Sequence, residues 1–146
     1  MNDHLLHYIL KEPPSMRLLM IGITAVLVVF AVLQLNDTDS GRWFLIYVMG
    51  AAAAALTLPS ALSRNAHRLL AVGTMLLMFF YFFGFFKLAP GLGELWWQTE
   101  VGREAVGLFV GGFALMPVLS CYSCRLKATR ASKDRRAPAV FSSPHS

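Results

Sequence analysis

The densest run of side chains able to do chemistry is Gln34-Leu35-Asn36-Asp37-Thr38-Asp39-Ser40-Gly41-Arg42-Trp43. Two carboxylates, two amides and two hydroxyls crowd into one short stretch. Carboxylate and amide oxygens suit hard cations such as Ca²⁺ or Mg²⁺, or a ligand that donates hydrogen bonds. The spacing does not match the twelve-residue calcium loop. A plainer reading is structural and is the favoured one. Asp39 or Ser40 caps the helix that follows by accepting from its free N–H groups, and acidic residues suit that end of the helix dipole. In this reading Asp37 accepts from backbone in the turn or pairs with Arg42 or Arg103. A second polar group, Glu94, Glu100, Arg103 and Glu104, lies in a later stretch. There Thr99 is placed to cap a helix that begins with Glu100, with a Glu100–Arg103 pair at i, i+3.

Other reactive types are less promising. Cys121-Tyr122-Ser123-Cys124 has the C-x-x-C spacing, but it sits at a helix C-terminus, where the dipole disfavours a thiolate, and no second pair or nearby His completes a zinc set. His4, His7, His67 and His145 are scattered through surface segments. The sequence has no Gly-rich phosphate loop and no pairing of nucleophile with base.

These residues must be positioned by membrane helices. The chain has 146 residues, 56% hydrophobic and 14% charged, against about 25% charged in soluble domains. Four apolar segments stand out: residues 18–35, 43–62, 69–88 and 105–122. The first contains no charge and as a helix covers roughly 27 Å, close to the hydrocarbon thickness. It is too long for a signal-peptide core and lacks a small-residue cleavage site, so it is read as uncleaved. Lipid offers no partner for free peptide groups, so each span is a helix. Short connections make neighbours antiparallel, and the predicted fold class is all-α, an up-down four-helix membrane bundle over residues 16–122. Residues 1–15 form an N-terminal segment and residues 123–146 a basic tail, predicted to be disordered. None of the spans carries Asp, Glu, Lys or Arg at mid-depth, which argues against an ion-coupled transporter.

Charge sets the orientation. Lys11, Arg17, Arg64, Arg68 and the tail residues Arg125, Lys127, Arg130, Lys133, Arg135 and Arg136 fall on one side; Arg42, Lys87 and Arg103 fall on the other. This asymmetry predicts cytoplasmic termini in the cell membrane (the inner membrane, where there are two). The two polar loops then share the outward face, bringing Asn36, Asp37, Asp39, Arg103 and Glu104 toward one another at the edge of the bundle. Trp96 and Trp97 fit an interfacial aromatic belt. Gly107 and Gly111 make a G-x-x-x-G whose contacts are expected inside the bundle. Thr74 and Tyr81 read as packed core, and Pro117 as a potential kink in the fourth span.

Asn36-Asp37-Thr38-Asp39, followed by Trp43 and Tyr47, resembles the N-D-P-D…W…Y signature of the transmembrane protein 220 family. Gly102-Arg103-Glu104-Ala105-Val106-Gly107-Leu108 is similar to a second segment of that family, G-R-E-x-x-G-L. Thr38 departs from the family's proline, which would pre-set the turn. The resemblance implies a small multi-span membrane protein and supplies no substrate.

The sequence therefore points to a non-enzymatic accessory or assembly subunit, or a small binding protein. Its polar cluster comprises Asn36, Asp37, Asp39, Trp43, Tyr47, Arg103 and Glu104. The competing expectation is a membrane enzyme or channel-like protein that uses the outward carboxylates on a cation or polar ligand. No cofactor is implied. The expected partners are the bilayer, anionic lipids at the basic tail and a larger membrane complex; nucleic acid is not among them.

Overall fold

The computed structural model describes residues 13–36, 40–59 and 62–136, with backbone only at Asn36, Ser40 and residues 133–136. The helices are α1 (Pro14–Leu33), α2 (Ser40–Ala55), α3 (Arg64–Leu88) and α4 (Glu100–Arg136). Short 3₁₀ turns occupy Gln34–Asn36, Ala89–Gly91 and Trp96–Gln98. No strand occurs among the described residues, and the all-α expectation holds.

Pro14 opens α1 at its first position, where the missing N–H costs nothing and the fixed φ suits a helix. Buried Met20, Ile23, Leu27 and Ala31 recur every three or four residues and form its inner stripe. Leu18, Val29 and Val32 on the other side are exposed, as are Leu69, Leu76, Phe79, Phe83 and Phe86 of α3. So broad an apolar surface suits lipid rather than water. Among the described residues three helices, α1, α3 and α4, are long and apolar enough to cross a membrane.

The second helix differs from its sequence reading. The apolar segment runs to residue 62, but α2 has 16 residues and stops at Ala55. The cause is Pro59. It has no N–H to give the Ala55 carbonyl, and it disfavours helical backbone at Leu58. The chain tightens instead: Thr57 and Leu58 N–H groups donate to Ala54 and Ala55 at 3.1 and 3.0 Å. The Thr57 hydroxyl also donates to Ala54 at 2.6 Å.

Two further boundaries move. Arg64 and Arg68, read as a basic turn, belong to the first turns of α3, whose N-cap is Ser63, accepting from the Ala66 N–H at 3.2 Å. The stretch beyond Tyr122, read as a disordered tail, continues α4 to Arg136. Its Leu, Lys, Ala and Arg residues favour helix, and no Gly or Pro intervenes before Pro138.

The helices pack as two hairpins, α1 with α2 and α3 with α4. Tyrosines join them. The Tyr81 hydroxyl donates to the Ile46 carbonyl at 3.1 Å and lies against Gly50. The Tyr122 hydroxyl donates to the Ala53 carbonyl at 2.7 Å. Tyr47, Tyr81 and Tyr122 are fully buried, as are Thr74, Leu108, Leu115 and Val118.

Candidate functional site

Tyr47 is the centre of the sequence-predicted cluster. Its ring lies between Phe30 of α1 and Tyr81 of α3, with centroids 5.6 and 5.7 Å away. Its hydroxyl presses on Gly107 of α4, where no Cβ fits. Trp43, one turn earlier, is half-buried and packs on the same core. Glu104, one turn before Gly107, is half-buried and near enough for its charge to be felt at the Tyr47 hydroxyl. The fold thus brings Trp43, Tyr47 and Glu104 to one end of the bundle. Asp37 and Asp39 lie outside the described residues, and of Asn36 only the backbone is described, closing a 3₁₀ turn. Arg103 is exposed, and so is Glu100, so any attraction between them is screened by water. The pairing of Arg103 with Asp37 or Asp39 falls outside the described residues.

Two polar atoms at this end have no hydrogen-bond partner although they are buried: the Tyr47 hydroxyl and Gln34 Oε1. Gln34 follows α1 directly, one turn beyond Phe30. Together with Glu104 this makes an oxygen-rich, acceptor-rich end. Among the described residues no group of three His, Cys, Asp or Glu is arranged to hold a metal ion.

The second polar stretch is fixed by Thr99. Its hydroxyl accepts from the Gly102 N–H at 3.1 Å and donates to the Trp96 carbonyl at 2.9 Å, capping α4 as its position predicts. Gly102 lies hard against that same carbonyl, so a side chain there would collide with backbone. Trp96 and Trp97 meet edge to face at 5.9 Å and are both exposed.

The G-x-x-x-G stripe faces inward. Gly107 receives Tyr47, Gly111 receives the Tyr81 ring and Gly112 the Phe82 ring.

Sequence reasoning missed the polar centre at the opposite end. Arg125, counted there as a tail charge, is half-buried and donates to Thr57 at 2.6 Å and to Pro59 at 3.3 Å. His67, counted as a surface residue, is 8% exposed. Its Nδ1 is 3.1 Å from the Ser63 carbonyl, and its Nε2 is 3.5 Å from Arg125. Its ring and that of Tyr122 meet edge to face, with centroids 6.0 Å apart. Tyr122 takes the α2 carbonyl of Ala53, and Arg125 takes those of Thr57 and Pro59 in the turn that follows where Pro59 ends the helix. The cation also meets the negative end of that helix dipole. The available signal was Pro59 inside an apolar segment, since carbonyls freed at membrane depth need a protein donor. Cys121 is buried and Cys124 exposed, both as thiols.

No curated protein and no solved structure matches this chain. The family model described as "Transmembrane family 220, helix" matches residues 26–122. That stretch takes in the Asn36–Tyr47 segment, the Gly102–Leu108 segment and the tyrosine contacts that join the hairpins, and the chain belongs to this transmembrane family.

Proposed function

We propose that this protein is a non-enzymatic membrane binding protein whose ligand site is the loop-side end of the bundle around Gln34, Tyr47 and Glu104. The observation that carries this reading is that two buried oxygens, on Gln34 and Tyr47, lack a partner at the end of the bundle where the charge of Glu104 reaches the Tyr47 hydroxyl. Burying a polar group without a partner costs about 1–3 kcal/mol, and phenylalanine would fill the Tyr47 position without that cost. Oxygen acceptors on three elements favour a small ligand that is cationic or rich in hydrogen-bond donors. Asp37 and Asp39, in the adjoining turn, extend that character by sequence. The Lys and Arg distribution supports cytoplasmic termini in the cell membrane, with this site facing outward. Such a small bundle, with apolar faces on α1 and α3, also suits an accessory role beside a larger membrane protein.

The test uses the purified full chain in neutral detergent, with thermal unfolding followed during titration with Mg²⁺, Ca²⁺ and ethanolammonium. A bound ligand raises the unfolding temperature by mass action. Glu104→Gln and Tyr47→Phe should abolish the rise while leaving the protein folded. A rise that both variants retain places binding elsewhere and ends this reading.

A further inference from the structure

We infer that a cationic cleft between the start of α3 and the far part of α4 is a binding site for the phosphate group of an anionic lipid. The cleft is about 230 Å³ and is lined by Arg64, Arg68, Ser123, Leu126, Lys127 and Arg130. It is a site separate from the loop-side end discussed above.

Four positive groups line one small cavity, with no acid among its described lining residues. The described acids Glu94, Glu100 and Glu104 all belong to the other end of the bundle. Asp134 falls in the last turn of α4, where only backbone is described. Helix α3 makes the crowding worse. Its first turn holds no acid and carries Arg64, with Arg68 one turn on, at the helix end whose dipole is already positive. Arg125 adds a further cation nearby, held by the carbonyls of Thr57 and Pro59. Arg64 Nε is buried and has no hydrogen-bond partner. Like charges gathered around a helix N-terminus with a buried unsatisfied donor form a place for an anion.

The position selects the kind of anion. Leu69, directly after Arg68, is exposed and begins the apolar face of α3. The cleft therefore lies where hydrocarbon gives way to headgroups, at the same end as the cationic extension of α4. Its volume is below the roughly 300–1,000 Å³ of sites for drug-sized ligands, and it suits a phosphate more than a whole metabolite. Basic pockets between transmembrane helices at this level take lipid phosphates, and each cation there contributes roughly a 5-fold gain in binding.

The experiment measures thermal unfolding of the purified full chain in mixed micelles. The micelles carry phosphatidic acid, phosphatidylglycerol or the zwitterionic phosphatidylcholine, and a parallel arm has inorganic phosphate at equal concentration without anionic lipid. The two anionic lipids should raise the unfolding temperature, and phosphatidylcholine should not. The double variant Arg64→Gln/Arg68→Gln should weaken binding by roughly 30-fold. Without lipid it should be at least as stable as the parent, because it removes like charges from a positive helix end. If that variant does not fold, Lys127→Gln/Arg130→Gln, on the exposed side of α4, gives the same test. Lys87→Gln, in the last turn of α3 at the opposite end of the bundle, should change binding little. An equal rise with inorganic phosphate would assign the cleft to a soluble anion and overturn the lipid assignment. Lipid binding unaltered by both cleft variants would overturn the site itself.

Discussion

At the scale of single residues, glycines and tyrosines fit as sockets and plugs. The Tyr47 hydroxyl fills the space that a Cβ at Gly107 would need, so Gly107→Ala overpacks that contact. It should lower stability in detergent by about 1–3 kcal/mol. Tyr47→Phe removes the clashing atom, so the double variant should lose less than the sum of the two single changes. Additive losses in thermal unfolding would show that the two positions do not meet. Taken alone, Tyr47→Phe removes a buried hydroxyl that has no partner. The ligand-free protein should then be as stable as the parent or up to about 1 kcal/mol more stable. A clear loss of stability would reveal a hydrogen bond at that hydroxyl and weaken the case for a ligand.

At the scale of elements, the weak point is the end of α2. A helix halted early by Pro59 leaves carbonyls without helical partners in its last turn and the turn beyond, and α4 supplies donors to them through Tyr122 and Arg125. Arg125→Ala should cost about 2 kcal/mol, the range for a hydrogen bond with a charged donor. Arg125→Lys should recover only part of the loss, since one ammonium cannot reproduce the planar fork that reaches both Thr57 and Pro59. Equal stability of the Ala variant and the parent would show that water already serves these carbonyls. The same contacts give the continuation of α4 a task beyond carrying charge, because its first turn past Tyr122 fastens one hairpin to the other.

At the scale of the whole molecule, the hairpins place the starts of α1 and α3 with the ends of α2 and α4. If the Lys and Arg asymmetry sets the orientation, reporter fusions at Gly93 should read as outside, and fusions at Asn65 and Ser132 as inside. An outside signal at Ser132 would invert the orientation and turn the Gln34–Tyr47–Glu104 end toward the cytoplasm. Truncation after Lys127 keeps Tyr122 and Arg125 but removes Arg130 from the cleft. The shortened protein should stay folded while its retention of anionic lipid falls, as measured by lipid co-purification at low salt. Equal retention would mean that the end of α4 plays no part in lipid binding.

While the ends of α2 and α4 and the start of α3 moved, composition and hydropathy patterning determined the membrane class and the helical fold. These follow from local physics: a long uncharged segment in lipid must be a helix, and Lys and Arg are excluded from its interior. Thr99 as a cap and the inward-facing glycines of α4 were legible for the same reason, since a cap and a small-residue stripe are local patterns. Tertiary structure decided what depended on distant partners. His67 became a buried residue because Tyr122 and Arg125 cover it. Arg125 became a fastening because Pro59, far away in sequence, left carbonyls in its reach. The cleft of Arg64, Arg68, Lys127 and Arg130 joins two charge groups that read separately as a turn and a tail. Gln34 and Tyr47 likewise showed themselves as unpartnered only once their surroundings were fixed. Side-chain type is set residue by residue, but satisfaction of a polar group is a property of a pair, and the pairs are made by the packing of the two hairpins.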